Sequence, residues 1–228
     1  MRRKPKVLMA DSVRAKRRKW QQINITAFAK KMEAIFTLNA EVCCDTLHQD
    51  LRRNGTEVRK HPKRVLRSFT YYTLYLFGIR YNDKLGAGIL LHDVAEDVSR
   101  KLLSEIRIKY GVQTYQYINA VSRRINESIK TFVKRATQTD STLLMRLCDA
   151  IDNGLDMLDE HYAGLDSAPF ERVKEYFNTK IQSLLEAAEK NNFLGSEYER
   201  SIREALGDLK LIYKEAQDFL AMSEPKKQ

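Results

Sequence analysis

Leu144, Leu147, Ile151, Leu155 and Leu158 recur at intervals of three and four residues, which places them on one face of a helix with a 3.6-residue period. A stripe of that length commits the chain to helix packing. Two more follow Pro169. One runs through Phe170, Val173, Phe177, Ile181, Leu184 and Leu185, the other through Tyr198, Ile202, Leu206, Leu209, Tyr213, Ala216, Phe219 and Leu220. Asn191-Asn192 to Gly195 reads as the turn between them, giving a C-terminal antiparallel helical hairpin. Nine glycines and four prolines among 228 residues leave few tight turns, so an all-α bundle is expected and a β or doubly wound fold is not.

Upstream, Ile25, Phe28, Met32, Ile35, Phe36, Leu38, Leu47 and Leu51 suit a helix over residues 21–52, stopped by Asn54-Gly55. Pro62 is expected in the first turn of a new helix, where its missing N–H leaves no bond unmade. Residues 65–77 read as a buried, aromatic-rich helix. Asn82-Asp83 supplies an N-cap for a helix through Leu85, Ile89, Leu90 and Val94, in which Gly86, Ala87 and Gly88 permit a neighbour's close approach. Ser99 caps the next helix and Tyr110-Gly111 ends it. Shorter helices are expected around Tyr117, Ile118 and Val121 and over residues 125–133.

The formal charge is +10 and unevenly spread. Residues 1–20 hold nine Lys/Arg against Asp11 alone, so +8 sits there and +2 on the other 208 residues. That excludes a uniformly basic, histone-like protein. Residues 1–19 lack apolar periodicity and are expected to form a basic arm, mobile or ordered by a partner. A globular domain over 20–192 and a C-terminal helical segment over 193–228 packed on it would follow. Clusters of this kind are often interaction tails, and an RNA or protein partner is one expectation for the arm. Removing it is expected to leave metal chemistry in the globule untouched. No apolar run approaches the roughly 20 residues of a membrane span. Val7-Leu8-Met9-Ala10 is too short for a signal-peptide core, so a cytoplasmic protein without membrane attachment is expected. Cys43, Cys44 and Cys148 form neither a disulfide framework nor a zinc spacing and read as buried filler.

His92-Asp93 follows an apolar run directly, with Glu96-Asp97 four residues on. On a continuous α-helix His92 would face Glu96 and Asp93 would face Asp97, so one turn offers an imidazole and three carboxylates. Burying carboxylates on the rim of an apolar helix is costly unless a cation or strong donors compensate, and a divalent metal ion does so with a single group. A solvated helical turn accounts for the same residues. Asp149, Asp152, Asn153 and Asp156 form a polar stripe beside the apolar one, readable as a solvated face or as part of a shared site. His61 stands alone behind a basic loop.

A His, a later His-Asp pair and a still later Asp in an all-α chain spell an H…HD…D pattern, and the chain resembles the HD-domain metal-dependent phosphohydrolases. The order of Arg52-Arg53-Asn54-Gly55, His61-Pro62, Leu90-Leu91-His92-Asp93-Val94-Ala95-Glu96-Asp97, Tyr110-Gly111, Ala120-Val121-Ser122 and Arg146-Leu147-Cys148-Asp149 with Asn153 is similar to the hydrolase domain of the RelA/SpoT alarmone enzymes. The similarity spans residues 40–190. It implies a compact HD-type bundle and a small stand-alone alarmone hydrolase without the synthetase domain of long family members. It implies His61, His92, Asp93 and Asp149 as ligands of a single divalent metal ion, manganese in that family. Glu96 and Asp97 match the catalytic acidic pair, Asp97 acting on the attacking water and Glu96 on the leaving-group proton. Arg52 would stack on a purine base, Arg53 would lie by the phosphates, and Asn153 would contact the nucleoside. The chain departs from the pattern in carrying Glu57-Val58 for Pro-Tyr and Ala150 for arginine. Asp152, Gly154 and Leu155 stand for histidine, methionine and arginine.

Three functions compete on this reading. The resemblance implies removal of the 3′-pyrophosphate from a guanosine alarmone, the signal of the stringent response. A second keeps the site and changes the substrate to another phosphorylated nucleotide or a pyrophosphorylated RNA end, as in antitoxin members of the family. The third is a non-catalytic nucleic-acid or protein-binding module working through the arm, for which the sequence holds no helix-turn-helix, zinc finger or aromatic RNA motif.

Overall fold

In the computed structural model, which describes residues 9–47, 57–162, 170–191 and 193–223, every regular element is helical. In chain order these are α1 (Asp11–Gln21), α2 (Ile25–Lys31), α3 (Ile35–Leu47), α4 (Lys60–Thr70), α5 (Asp83–Leu90), α6 (Leu102–Val121), α7 (Ile129–Ala136), α8 (Asp140–Tyr162), α9 (Phe170–Glu175), α10 (Gln182–Lys190) and α11 (Glu199–Ser223). Three π-helical turns, Tyr71–Tyr75, Val94–Val98 and Tyr176–Ile181, extend or join them. The central helix is α8, packed along α11 and against α4, while α5 lies between α3 and α6. All five residues of the stripe from Leu144 to Leu158 are fully buried, each worth about 1.5–3 kcal/mol of transfer from water. Thr139 caps the start of α8, its hydroxyl accepting the Thr142 N–H at 3.3 Å.

Asn82 caps α5 as its spacing suggests, with Oδ1 accepting the Leu85 N–H at 2.8 Å. The close approach at the glycines is present too: a Cβ on Gly86 would lie 2.5 Å from Thr37 Oγ1, and one on Gly88 3.0 Å from Tyr117 Cβ. Thr37 has little freedom to yield, because its hydroxyl donates to Asp83 Oδ1 at 2.6 Å. Gly86→Ala is therefore expected to lower stability by about 1–3 kcal/mol in urea unfolding. An unchanged midpoint would mean that the contact between α3 and α5 relaxes.

The helix expected over 21–52 is interrupted. Glu33 takes φ 53°, and α2 and α3 meet at a turn there. The interruption lets Asp83 cap α3, its carboxylate accepting the Phe36 and Thr37 N–H groups at 2.7 Å each. Gly111, at φ 86°, kinks α6 at the position where the sequence pattern ends an element.

A larger correction concerns the N-terminal arm. Residues 1–8 of that expected arm lie outside the described residues, whereas residues 11–19 are not a free tail but part of α1, a docked helix. Its apolar face is short, yet Val13 and Trp20 are fully buried, and Trp20 packs on Tyr71 and Tyr72 with ring centroids 6.1 and 5.9 Å away. The rest of the docking is ionic. Arg14 pairs with Asp159 and Glu215 at 2.8 Å each, and Lys16 with Glu204 and Asp208 at 2.6 and 2.8 Å. Arg17 pairs with Asp152 at 3.0 Å and with Asp156. The Ala10 N–H adds a bond to Glu215 at 2.7 Å. Arg14, Lys16 and Arg17 are thus counter-ions for carboxylates of α8 and α11, leaving Arg18 and Lys19 as the basic residues of α1 exposed to solvent.

Among the described residues, no helix is long and apolar enough to cross a membrane. Cys44 and Cys148 are free, fully buried thiols pushed up to about 12 by desolvation, as suits filler.

Candidate metal centre

Three parts of the fold send polar side chains to one point. His61 comes from the first turn of α4, and His92 with Asp93 from the turn that follows α5. Asp149 and Asn153 lie one turn apart on α8. Because α5 stops at Leu90, the continuous α-helix that would face His92 to Glu96 does not form. The chain instead widens into the π turn Val94–Val98, closed by the Ser99 N–H on the Val94 carbonyl at 3.0 Å. Turns of this kind concentrate at functional sites.

His61, His92 and Asp149 are 1%, 2% and 4% exposed, and one ligand atom of each lies within 4.8 Å of the others. His61 Nε2 is 2.8 Å from Asp149 Oδ1 and 3.5 Å from Asp93 Oδ2. His92 Nε2 is 3.0 Å from Asp93 Oδ1 and 3.6 Å from Asp149 Oδ1. Each ring is also held by its other nitrogen. His92 Nδ1 donates to the Ile89 carbonyl at 2.7 Å, and His61 Nδ1 lies 2.7 Å from Asp152 Oδ2. An imidazole anchored through Nδ1–H presents Nε2 as a ligand. His92 Nε2 is buried between the carboxylates of Asp93 and Asp149 without a well-aligned hydrogen bond to either, a setting that suits a cation, whether a proton or a metal ion.

The charges around this point favour a cation. Burial would raise the Asp149 carboxyl, but Arg146 and the two imidazoles outweigh it and hold Asp149 well below the usual carboxylate range. Burial is likewise outweighed at Asp93, chiefly by His92, and its carboxyl sits at about 2. Desolvation pulls the His92 imidazole down, yet Asp93 and Asp149 overcome it and raise His92 well above its ordinary 6.5. A proton and a metal ion therefore compete for one lone pair. Since the protonated form persists up to the raised value, metal uptake at neutral pH has to displace that proton, and affinity rises with pH. Uptake in weakly buffered solution at pH 7 is expected to release about one proton per ion from this ring. A constant pH during the titration would mean that His92 is neutral beforehand.

Two imidazole nitrogens and a buried carboxylate, with a second carboxylate alongside, fit a divalent ion. These donor types admit manganese, iron, zinc or magnesium. The centre adjoins a cleft of about 350 Å³ lined by Asp93, Glu96, Asp97 and Asn153 and, from α9 and the π turn after it, by Arg172, Tyr176 and Lys180. Asn153 Nδ2 donates to Asp149 Oδ1 at 2.8 Å. Glu96 and Asp97 are exposed, and Glu96 accepts the Arg123 N–H. A neighbouring cleft of about 630 Å³ shares Glu96 and is lined by Arg100, Arg123 and Arg124.

The structure thus brings His61, His92, Asp93, Asp149, Glu96, Asp97 and Asn153 to one place, while Arg52 and Arg53 lie outside the described residues. Sequence reasoning did not single out Arg172 or Lys180, whose signal was only a position among the polar residues of the stripe after Pro169. Lys180 is held below the ordinary lysine value by desolvation and then by Arg146. Asp152, a member of the polar stripe beside the apolar one and a departure from the family pattern, is the partner of His61 Nδ1. Sequence comparison finds no matching family model and no matching curated protein.

Proposed function

We propose that the chain is a metal-dependent phosphohydrolase of the HD type that removes the 3′-pyrophosphate of a guanosine alarmone, leaving GDP or GTP. The observation that carries this reading is the convergence of His61, His92 and Asp149, with one ligand atom of each within 4.8 Å of the others and Asp93 alongside, beside a cleft that also holds cationic side chains. Carboxylates alone would repel a phosphate. With a cation among them and Arg172 and Lys180 in the same cleft, the site suits a polyanion.

His61, His92 and Asp149, with Asp93 beside them, would hold the ion, manganese on this reading. When bound, it supplies an acidified water and neutralises charge on a phosphate oxygen. The chain's own residues do the rest. Asp97 orients a water and takes its proton, while Arg172 and Lys180 hold the phosphates and Asn153 contacts the nucleoside. The water oxygen adds to the phosphorus carried by O3′, the P–O3′ bond breaks, and Glu96 returns a proton to the departing ribose oxygen.

Purified protein given Mn2+ and guanosine tetraphosphate is expected to release pyrophosphate, and Asp93→Ala to abolish the release. No release with any divalent ion would sink the proposal. The second cleft, with Arg100, Arg123 and Arg124 next to Glu96, favours one other substrate: a longer polyanion such as a pyrophosphorylated RNA end. Its binding should weaken steeply with salt, and a panel in which only the free alarmone is turned over removes it.

A further inference from the structure

Asp149 and Asp152 are three residues apart on α8, and the His61 ring lies between them, with Nε2 2.8 Å from Asp149 Oδ1 and Nδ1 2.7 Å from Asp152 Oδ2. Asp149 belongs to the metal centre. Asp152 faces away from it and is fully buried. Its oxygens accept Arg64 Nε at 2.8 and 2.9 Å and an Arg17 terminal N–H at 3.0 Å. His61 and Arg64 are themselves three apart on α4, so one face of that helix delivers both an imidazole and a guanidinium to the same carboxylate. Arg17 arrives from α1, and both guanidiniums continue to Asp156 on the next turn of α8. A carboxylate with this many donors stays ionised and has no lone pair left for a metal ion. Its one remaining use is to fix the imidazole.

We infer that Asp152, Arg64 and Arg17 are positioning residues of the metal centre: Asp152 holds the Nδ1 proton of His61 so that Nε2 faces the ion, and α1 is part of the site through Arg17. The inference rests on the metal-binding reading above. It reverses the expectation that the basic N-terminal segment is independent of the chemistry. Arg17 and Arg64 keep Asp152 charged and aligned in a place with no access to water. A carboxylate behind a ligating imidazole fixes the ring's tautomer and makes its free nitrogen a better donor.

Asp152→Asn decides the matter. The two guanidiniums claim the amide oxygen as they claim the carboxylate, which turns the amide NH2 toward His61. That group donates to Nδ1, so the ring proton moves to Nε2 and blocks the ion. Full-length Asp152→Asn is expected to bind Mn2+, followed by the electron paramagnetic resonance signal of the free ion, about 10–100-fold more weakly than the parent. Arg17→Lys keeps the charge and should stay near parental affinity, with Arg17→Gln falling between the two. Circular dichroism sets the temperature at which each variant is folded. If Asp152→Asn does not fold, the half-buried Arg17 variants carry the test.

A second measurement needs no metal. In metal-free protein with 15N-labelled histidine, at a pH where the ring is neutral, long-range 1H–15N spectra report the His61 tautomer. The proton is expected on Nδ1 in the parent and in Arg17→Lys, and on Nε2 in Asp152→Asn. A parent that binds no divalent ion overturns the metal reading. An unchanged tautomer in folded Asp152→Asn overturns this inference instead, and parental Mn2+ affinity in folded Arg17→Gln removes α1 from the site.

Discussion

Asp149→Asn is expected to lose divalent-metal binding in equilibrium dialysis and to lower metal-dependent phosphohydrolysis on the order of 10³-fold or more. The second figure follows from the several kcal/mol of transition-state stabilisation that a metal ion supplies. Asp149 is the carboxylate of the buried ligand set, and both imidazoles lie within 3.6 Å of its Oδ1. The asparagine keeps the shape and one acceptor oxygen for Arg146, whereas alanine would strand that guanidinium and confuse lost metal with lost fold. Stranding one partner of a buried pair costs about 3–5 kcal/mol. Asp140→Asn is the control: it lies in the first turn of the same helix, nine residues before Asp149 and outside the ligand set. It should keep parental metal affinity. Parental affinity in Asp149→Asn as well would place the metal elsewhere or nowhere.

Trp20→Ala is expected to cost about 3–5 kcal/mol in urea unfolding, a large share of the roughly 5–15 kcal/mol that holds a domain together. The indole is fully buried against Tyr71 and Tyr72, so its loss opens a cavity that rigid neighbours cannot fill. Deleting residues 1–21 goes further, because Asp208 and Glu215, each 4% exposed, lose Lys16 and Arg14. Asp208 already sits above the usual carboxylate value through burial, despite Lys16 and its Tyr72 bond at 2.7 Å. The truncated chain should show no cooperative thermal transition by circular dichroism. A parental melting curve would return α1 to the role of an appendage.

The long helices were legible because their signal is local. The stripe on α8, the Asn82 cap and the kink at Gly111 each depend on residues within a turn or two of one another. Part of the candidate site stood out for a related reason: His92-Asp93 and Asp149 are chemically conspicuous beside apolar stripes. What escaped depends on distant partners. Three cations of α1 look like a tail until Asp152, Glu204 and Glu215 are brought to them. Arg172 and Lys180 look like solvated charge until α9 and the π turn Tyr176–Ile181 face the cleft. The π turn at Val94–Val98 has no signature in residue type, so the facing of His92 to Glu96 was drawn on a helix that ends at Leu90.

The bond from the Ala10 N–H to Glu215 joins residues 205 positions apart. A ribosome delivers α1 first, yet the carboxylates that receive its cations emerge only with α8 and then α11. Until α11 is released, Arg14 has Asp159 but not Glu215, Lys16 has neither Glu204 nor Asp208, and the rest of α1 is secured by α8 and the aromatic pair. Closure over such separations is slow, because the entropy of the intervening chain is lost before the contacts form. The residues that could hold an ion come together earlier: His61, His92 and Asp149 have all emerged once α8 has, before α11 completes the grip on α1.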